Sequence, residues 1–280
     1  MTIQENAVSQ NTQHSQRLSG KIAIVTGGTQ GLGEAIARAF ALAGAKGLVI
    51  CGRQTDKGEA VAAELSRAGC TTIFVEADLA TIEGTRAVTA AADKAFGRVD
   101  ILVNAAGITD RGDILNTSPE LFDRMFAVNV RAPFFLMQDV ANIMKREKIA
   151  GSIINIQSMS AHGGQPFIAA YCASKGALAT LTKNTAQALL RMKIRVNGLN
   201  IGWMNTPGED RIMKLYHGAE DGWLESAVKD KPFGRLIDPA EVGRACVYLG
   251  SGESGLMTGA NIDFDQTIIG VSTDPLDPEA

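Results

Sequence analysis

The amino-acid sequence predicts an α/β fold: a single domain built on a doubly wound parallel sheet of about seven strands, with helices on both faces. Short runs of β-branched and apolar residues alternate with longer stretches of helical period along the chain. These runs are apolar almost throughout, which is typical of parallel strands buried on both faces. Right-handed crossovers between such strands place helices on both sides of the sheet.

The elements follow from the sequence in order. Strands are predicted at Lys21–Thr26, Gly47–Cys51, Thr71–Val75, Val99–Val103, Ser152–Ile156, Ile194–Leu199 and Asn261–Phe264, because these runs are short and mostly apolar. Helices are predicted by their periodicity at Gly33–Ala43, Asp56–Ala68, Thr85–Phe96, Pro119–Lys145 and Tyr171–Arg191. The segment Asn205–Lys231 has mixed polarity and little periodicity. It is therefore predicted to be a long functional loop, which we call the substrate segment.

Composition excludes several classes of protein. The chain has 280 residues, of which 45% are hydrophobic and 20% charged, so it is not a disordered chain. A net charge of −3 gives no basis for binding nucleic acid or an anionic membrane, and no apolar run is long enough to span a bilayer. The four cysteines match no zinc or disulfide pattern, so we expect a cytoplasmic protein with reduced thiols and no metal site.

A glycine-rich turn, Thr26–Gly33, joins the first strand to the first helix. A turn at this place presents the unpaired N–H groups and the positive dipole end of the helix, which suit a pyrophosphate. The alternative is a glycine-rich turn that binds no ligand. The spacing is G-x-x-x-G-x-G, with Ile36 where a more general dinucleotide motif has its third glycine. The predicted contacts are Gly27, Thr29, Gln30, Gly31, Leu32 and Gly33.

This turn and five later segments together resemble the short-chain dehydrogenase/reductase family. The five are Asp78-Leu79 after the third strand, Asn104–Gly107 after the fourth, Asn129 in the next helix, Ser158 after the fifth strand, and Tyr171–Lys175 with Tyr-x-x-x-Lys spacing. The resemblance covers about Leu18 to Ile269. It implies a Rossmann fold that binds NAD(H) or NADP(H). It also implies further cofactor contacts at Asp78, Leu79, Asn104, Ala105, Gly107, Tyr171, Lys175, Gly202 and Thr206.

The resemblance divides the chain into three parts. Residues 1–17 are polar and lack the apolar core of a signal peptide, so a disordered tail is predicted. Residues 18–270 form the dinucleotide-binding catalytic domain, which includes the substrate segment, and residues 271–280 form a C-terminal tail. Two departures from the family pattern occur, at Ile201 and at Gln266-Thr267.

Four residues carry the implied chemistry: Asn129, Ser158, Tyr171 and Lys175. Tyr171 and Lys175 share one helix face, and by themselves they fit better an amphipathic helix with a half-buried tyrosine and a lysine that reaches solvent. Ser158 at the carboxyl end of a strand favours the catalytic interpretation. In the family reading Tyr171 is the acid/base, and Lys175 and a positive nicotinamide lower its pKa from about 10. Ser158 donates to the substrate oxygen. Asn129 holds a water next to the lysine; its alternative is a bond to its own helix backbone.

Cofactor preference rests on the end of the second strand. An NAD-specific site usually has an acid there, whereas this chain has Gly52 followed by Arg53. A guanidinium binds a 2′-phosphate with two parallel hydrogen bonds, so NADP(H) is predicted in preference to NAD(H). The alternative for Arg53 is a surface arginine that pairs with a neighbouring acid. Because Gln30 is neutral, the predicted preference is modest.

The predicted substrate is a small alcohol or ketone, and the residues around the expected pocket favour a sugar or polyol. The expected pocket wall mixes polar residues with a few large apolar ones, and includes Met159, His162, Gln165, Trp203 and Met204. A 3-ketoacyl thioester reductase is the alternative enzyme, although the substrate segment has six acids against four bases and offers no basic dock for an acidic carrier. A catalytically silent dinucleotide sensor or scaffold is the alternative of another class. A homotetramer that binds neither nucleic acid nor membrane is expected.

Overall fold

The computed structural model describes residues 16–271, and the predicted tails lie almost entirely outside this range. Seven parallel strands form one sheet in the order β3-β2-β1-β4-β5-β6-β7. Their bounds are β1 Ile22–Thr26, β2 Gly47–Gly52, β3 Thr71–Glu76, β4 Ile101–Asn104, β5 Ser152–Ser158, β6 Arg195–Ile201 and β7 Asn261–Phe264. The predicted doubly wound fold is confirmed, and the strand order reverses direction between β1 and β4.

Helices cover both faces of this sheet. They are α1 Gly31–Leu42, α2 Thr55–Arg67, α3 Ile82–Phe96, α4 Pro119–Phe126, α5 Ala132–Arg146, α6 Ala169–Leu189, α7 Pro207–His217, α8 Trp223–Ala227 and α9 Pro239–Gly250. Strands β1, β4 and β5 are buried along their whole length, as their apolar sequences predict. Two apolar clusters form the core, one on each face of the sheet. None of the described helices is both long and apolar enough to cross a membrane.

The substrate segment differs from its prediction. It contains the helices α7 and α8, so the expectation of a long loop is wrong. Thr206 caps α7, since its hydroxyl accepts a hydrogen bond from the backbone N–H of Glu209 over 3.1 Å. Only Ile212 of α7 is buried, which explains the weak periodicity in the sequence.

The predicted helix Pro119–Lys145 is interrupted. A π-helical segment, Ala127–Arg131, separates α4 from α5. Pro133 has no N–H with which to continue the ordinary hydrogen-bond pattern, and the wider turn precedes it. This interruption contains Asn129, one of the predicted catalytic residues.

Arg17 belongs to the predicted N-terminal tail. The structure places it in a turn, and its guanidinium is 3.3 Å from the carboxylate of Glu253.

Candidate active site

The glycine-rich turn is shaped by close backbone contacts at the carboxyl end of β1. A Cβ atom on Gly33 would lie 2.2 Å from the carbonyl oxygen of Gly27, so the first turn of α1 requires glycine there. Gly31 has a φ of +56° and opens the helix. The turn leaves the N-terminal N–H groups of α1 directed to the carboxyl edge of the sheet, where the other predicted cofactor residues lie.

The ends of β1 and β4 are bound together at this edge. The Thr26 hydroxyl accepts hydrogen bonds from the backbone N–H groups of Ala105 and Ala106, each over 3.0 Å. The amide of Asn104 donates to the side-chain oxygen of Asn155 over 2.8 Å, and its own oxygen is buried without a hydrogen-bond partner. The Asn104 side chain therefore points into the protein interior, and the backbone of Asn104–Gly107 lies at the carboxyl edge of the sheet.

The end of β3 is equally well defined. Asp78 is exposed, and one carboxylate oxygen accepts from the backbone N–H of Ala80 over 3.0 Å. Leu79 is buried in the apolar cluster below. Both are predicted cofactor contacts, and they follow β3, which pairs with β2.

Three of the four predicted catalytic residues meet where β5 faces α6. Ser158 is the last residue of β5, and its hydroxyl lies beside the phenol of Tyr171. Lys175 lies one turn further along α6, with its amino group 5.6 Å from the centroid of the Tyr171 ring. That amino group is buried and donates to the carbonyl oxygen of Ile156 over 2.9 Å.

Asn129 joins this group through its neighbours. Its amide donates to the carbonyl oxygen of Ile108 and to the hydroxyl of Ser174, both over 3.0 Å, while its side-chain oxygen accepts from the N–H of Ile108. It does not bond to its own helix backbone in the way the alternative supposed. A Cβ atom on Gly107 would lie 3.3 Å from the Asn129 oxygen and 3.5 Å from the Lys175 nitrogen, which places all three together.

The pKa values of the reacting pair are set mainly by burial. Burial raises the pKa of Tyr171 to about 12, and the neighbouring Ser158 hydroxyl opposes this only in part. Burial lowers the pKa of Lys175 to about 8. The sequence predicts that Lys175 lowers the pKa of Tyr171. In the protein without cofactor, Lys175 is not among the groups that shift this pKa. At neutral pH Tyr171 is therefore a phenol, ready to donate a proton.

Gly202 and Thr206 close the edge opposite the glycine-rich turn. A Cβ atom on Gly31 would lie 3.6 Å from the Thr206 side chain, so the turn and the start of α7 approach each other. A Cβ atom on Gly202 would overlap the carboxylate of Asp265. Predicted cofactor residues from both halves of the chain therefore come close together at the carboxyl edge of the sheet. We call the space between Gly31, Gly107 and Thr206 the cleft.

Arg53 lies in the bend after β2, exposed and with no hydrogen bond or ion pair among the residues described here. The alternative of a neighbouring acid as its partner is not observed. The glycine before it has a steric cause, because a Cβ atom on Gly52 would lie 2.8 Å from the hydroxyl of Thr29. Gln30 is exposed nearby and accepts a hydrogen bond from Lys57 over 3.4 Å.

The predicted substrate residues do not all face the cleft. The imidazole of His162 is 2.8 Å from the carboxylate of Asp263, which also accepts from Asn200, so His162 is turned toward β7. Met204 packs against the core and pairs in a short bridge with Ile237. Gln165 is exposed, Met159 is partly buried beside Ser158, and the indole N–H of Trp203 donates to Glu209 in the substrate segment over 2.8 Å.

Comparison with known proteins shows what this geometry is similar to. The family model described as Enoyl-(Acyl carrier protein) reductase matches residues 27–266. The NADP-dependent (R)-specific alcohol dehydrogenase of Lentilactobacillus kefiri is 37% identical over 254 residues, which cover 90% of this chain and 97% of that protein. The galactitol 2-dehydrogenase of Agrobacterium fabrum is 33% identical over 255 residues, which cover 89% of this chain and 97% of that protein.

A solved structure gives the same result. A gluconate 5-dehydrogenase from Burkholderia cenocepacia, crystallised in complex with NADP and tartrate, superimposes with a TM-score of 0.81 at 30% identity, and covers 91% of this chain and 97% of that chain. This chain belongs to the short-chain dehydrogenase/reductase family. It is an oxidoreductase that acts on alcohol or ketone groups, and the resemblance inferred from the sequence is confirmed. The relatives are dehydrogenases by name, which disfavours the catalytically silent alternative.

The two departures of this short-chain dehydrogenase/reductase from the family pattern have local structural roles. Ile201 is buried at the end of β6 and packs in the core. The Gln266 amide donates to the carbonyl oxygen of Arg235 over 2.9 Å, and its oxygen accepts from the N–H of Phe233 over 3.0 Å. Gln266 thereby binds the segment after β7 to the segment that leads into α9.

Two residues at the rim of this dehydrogenase's cleft are not predicted as site residues from the sequence. Arg111 lies in the segment after β4, and Trp223 begins α8. Trp223 stacks on Trp203 with ring centroids 5.6 Å apart, and its indole N–H donates to Asp210 over 2.9 Å. The available signal for Arg111 is a charged residue four positions after the Asn104–Gly107 motif.

Within residues 16–271 no group of three or more potential metal ligands comes together.

Proposed function

We propose that this chain transfers a hydride between NADP(H) and a small alcohol or ketone, with Tyr171 as the acid/base. The observation that carries the proposal is the phenol of Tyr171, which lies beside Ser158 at the carboxyl end of β5 and one helical turn from Lys175. The phenol is protonated at neutral pH, as a proton donor to a carbonyl must be.

In the direction of reduction, each group has one task. The nicotinamide, when bound, supplies the hydride that reaches the carbonyl carbon. The Tyr171 O–H bond breaks, and its proton passes to the carbonyl oxygen, which becomes the hydroxyl of the alcohol. The Ser158 hydroxyl donates to the same oxygen as negative charge develops there. The buried ammonium of Lys175 stabilises the phenolate that remains, and Asn129 holds the segment beside it.

The residues at the sheet edge fit a dinucleotide. The helix start at Gly31 and the backbone of Ala105 and Gly107 would hold its phosphates and nicotinamide half. Asp78 and Leu79 would border its adenine, and Thr206 its carboxamide. A side chain on Gly31 or Gly107 would enter this cleft, which is consistent with a close approach between backbone and ligand.

We predict that Arg53→Ala weakens NADP(H) binding by about ten- to a hundredfold and leaves NAD(H) binding almost unchanged. Arg53 has no partner in the described chain, so its guanidinium is available to a 2′-phosphate. Titration of both cofactors into the wild type and the variant by calorimetry measures the change. Arg191→Ala, which removes another exposed arginine, is the matched control. A wild type that prefers NAD(H), or a variant that loses both cofactors equally, contradicts the assignment.

A sugar or polyol is the proposed substrate class. Relatives named galactitol 2-dehydrogenase and sorbitol dehydrogenase, and a solved neighbour named gluconate 5-dehydrogenase, support it. The rim of the cleft also carries several charged and hydrogen-bonding side chains. The test is the change of nicotinamide absorbance with a panel of ketoses, polyols and simple ketones. An acetoacetyl thioester in the same assay tests the alternative reductase activity, and turnover of that compound alone would favour the alternative.

A homotetramer is the proposed assembly. An open groove lies on the surface of α4, the π segment, α5 and α6, and is lined by Phe126, Val130, Phe134, Phe135 and Leu181 among others. Phe122 and Phe134 are exposed there, which is unusual for large aromatic residues without a partner. We therefore predict that light scattering at micromolar concentration gives the mass of four chains, each of 29.5 kDa. A stable monomer would contradict this.

A further inference from the structure

Arg111 and Glu209 form an ion pair at the rim of the cleft. Glu209 is in the first turn of α7, and its carboxylate oxygen is 3.8 Å from a terminal nitrogen of Arg111. The two side chains are only 20% and 15% exposed. A separation of 3.8 Å is too long for a hydrogen bond, so the two charges attract each other without satisfying each other's hydrogen-bonding capacity.

Other contacts fix both side chains in place. The same oxygen of Glu209 accepts from the indole N–H of Trp203 over 2.8 Å. Arg111 donates to His217 over 3.1 Å and to the carbonyl oxygen of Thr109 over 2.8 Å, and its guanidinium lies 5.5 Å from the centroid of the Phe167 ring. Within the described chain this leaves two groups without a hydrogen bond: the second oxygen of Glu209 and the Nη2 group of Arg111.

The pair acts on the reacting group. The charge of Glu209 raises the pKa of the Tyr171 phenol, and the charge of Arg111 lowers it. The backbone places Arg111 near this phenol: the next residue, Gly112, accepts at its carbonyl oxygen from the N–H of Ala169 over 3.1 Å, and Ala169 begins the helix that carries Tyr171. The ion pair holds Glu209 at the same place, so a substrate that reacts at Tyr171 can reach both side chains. Neither residue belongs to the group of Ser158, Tyr171 and Lys175 that carries out the proton transfer.

The chemistry of the pair favours one kind of substrate group. A hydroxyl accepts one hydrogen bond and donates another, so it can accept from Arg111 and donate to Glu209 at the same time. A carboxylate or phosphate would be attracted by Arg111 but repelled by Glu209. An apolar group would leave the second oxygen of Glu209 and the Nη2 group of Arg111 without a hydrogen-bond partner, at a cost in free energy.

We propose that Arg111 and Glu209 form a subsite that binds a hydroxyl group of a neutral polyhydroxylated substrate, next to its reacting carbonyl. The proposal rests on the proposed function as an oxidoreductase of small alcohols and ketones, and it adds the residues that select a hydroxylated substrate. Trp203 positions Glu209, and His217 positions Arg111.

The test compares two ketones with the same four-carbon skeleton: erythrulose, which carries hydroxyl groups, and butanone, which carries none. In Glu209→Gln, kcat/KM for erythrulose falls by about ten- to a hundredfold, while kcat/KM for butanone stays within about threefold. Glutamine keeps an oxygen for Trp203, so the fold is preserved. Because both ketones react at Tyr171, any effect of the lost charge on the pKa of Tyr171 cancels in the ratio.

Two more variants sharpen the comparison. Arg111→Lys keeps the charge but cannot bind His217 and a substrate hydroxyl together, so it shows the same selective loss. Glu225→Gln removes an exposed acid of the substrate segment whose side chain makes no hydrogen bond or ion pair within residues 16–271, and it leaves both values unchanged. Equal losses for the two ketones in Glu209→Gln, or no loss for either, overturn the subsite.

Direct binding separates this proposal from the proposed function. If the wild type reduces neither ketone with NADPH, the proposed function fails, and calorimetry of erythrulose with the NADP-bound protein then decides the subsite. Binding by the wild type that is lost in Glu209→Gln supports it. Equal binding by both, or binding by neither, overturns it. A wild type that reduces butanone but not erythrulose overturns the subsite and leaves the oxidoreductase function standing.

Discussion

Tyr171→Phe leaves the fold and the affinity for NADP(H) nearly intact but lowers kcat by about 10²–10⁴-fold. The phenylalanine ring occupies the same space on α6, whereas the hydroxyl that donates the proton is lost. Steady-state rates with the best ketone from the panel measure the change, and calorimetry with NADP(H) shows that binding persists.

Tyr248→Phe is the matched control for this variant. Tyr248 is partly exposed on α9, and no hydrogen bond of its hydroxyl is present in the described chain. Its removal is expected to leave kcat unchanged. Retention of most of the rate by Tyr171→Phe would show that another group supplies the proton.

Lys175→Met gives the second large effect, and it acts on activity and stability in opposite directions. We expect kcat to fall by about 10²-fold or more, since no positive charge then stabilises the phenolate. The melting temperature rises by several degrees at neutral pH. A pKa lowered from 10.5 to about 8 corresponds to about 3 kcal/mol of unfavourable charge burial, and the lost hydrogen bond to Ile156 offsets about 1 kcal/mol of the gain.

The difference in stability between the wild type and Lys175→Met should depend on pH. Below pH 8 the lysine is protonated in both the folded and the unfolded chain, so the wild type bears the full cost of the buried charge. Between pH 8 and 10.5 the folded chain binds fewer protons than the unfolded chain, and the wild type becomes more stable as the pH rises. The advantage of Lys175→Met in thermal melts should therefore shrink over this window. Lys183→Met, on the exposed face of the same helix, should show neither effect.

The sheet could be predicted from the sequence because its strands are buried on both faces. Each predicted strand end lies within two residues of the observed one, since an apolar run in a parallel sheet has few other structures available. The group of Ser158, Tyr171 and Lys175 could be predicted because the motifs occur in a fixed order along the chain. Asn129 was placed correctly on its helix, but the π turn around it was not foreseen.

The remaining features depend on contacts between distant segments. The helices α7 and α8 bury few side chains, so their apolar period is weak in the sequence. His162 follows the end of β5, and the sequence predicts it as a substrate residue. In the structure its imidazole contacts Asp263 and Asn200 and is turned toward β7. The ion pair between Arg111 and Glu209 joins residues 98 positions apart, and no local pattern predicts such a contact. The pKa of Tyr171 depends on burial, which only the folded chain defines.

The stacked indoles of Trp203 and Trp223 give the protein a built-in optical reporter. They are the two tryptophans of the entire sequence, so all tryptophan emission arises from this stacked pair, at and just before the substrate segment. Any rearrangement of α7 or α8 when a ligand binds will change that emission without contributions from elsewhere in the chain. Reduced nicotinamide absorbs where indoles emit, so its arrival quenches the signal by energy transfer. Rapid-mixing fluorescence can therefore time cofactor binding and movement of this segment in the unlabelled enzyme.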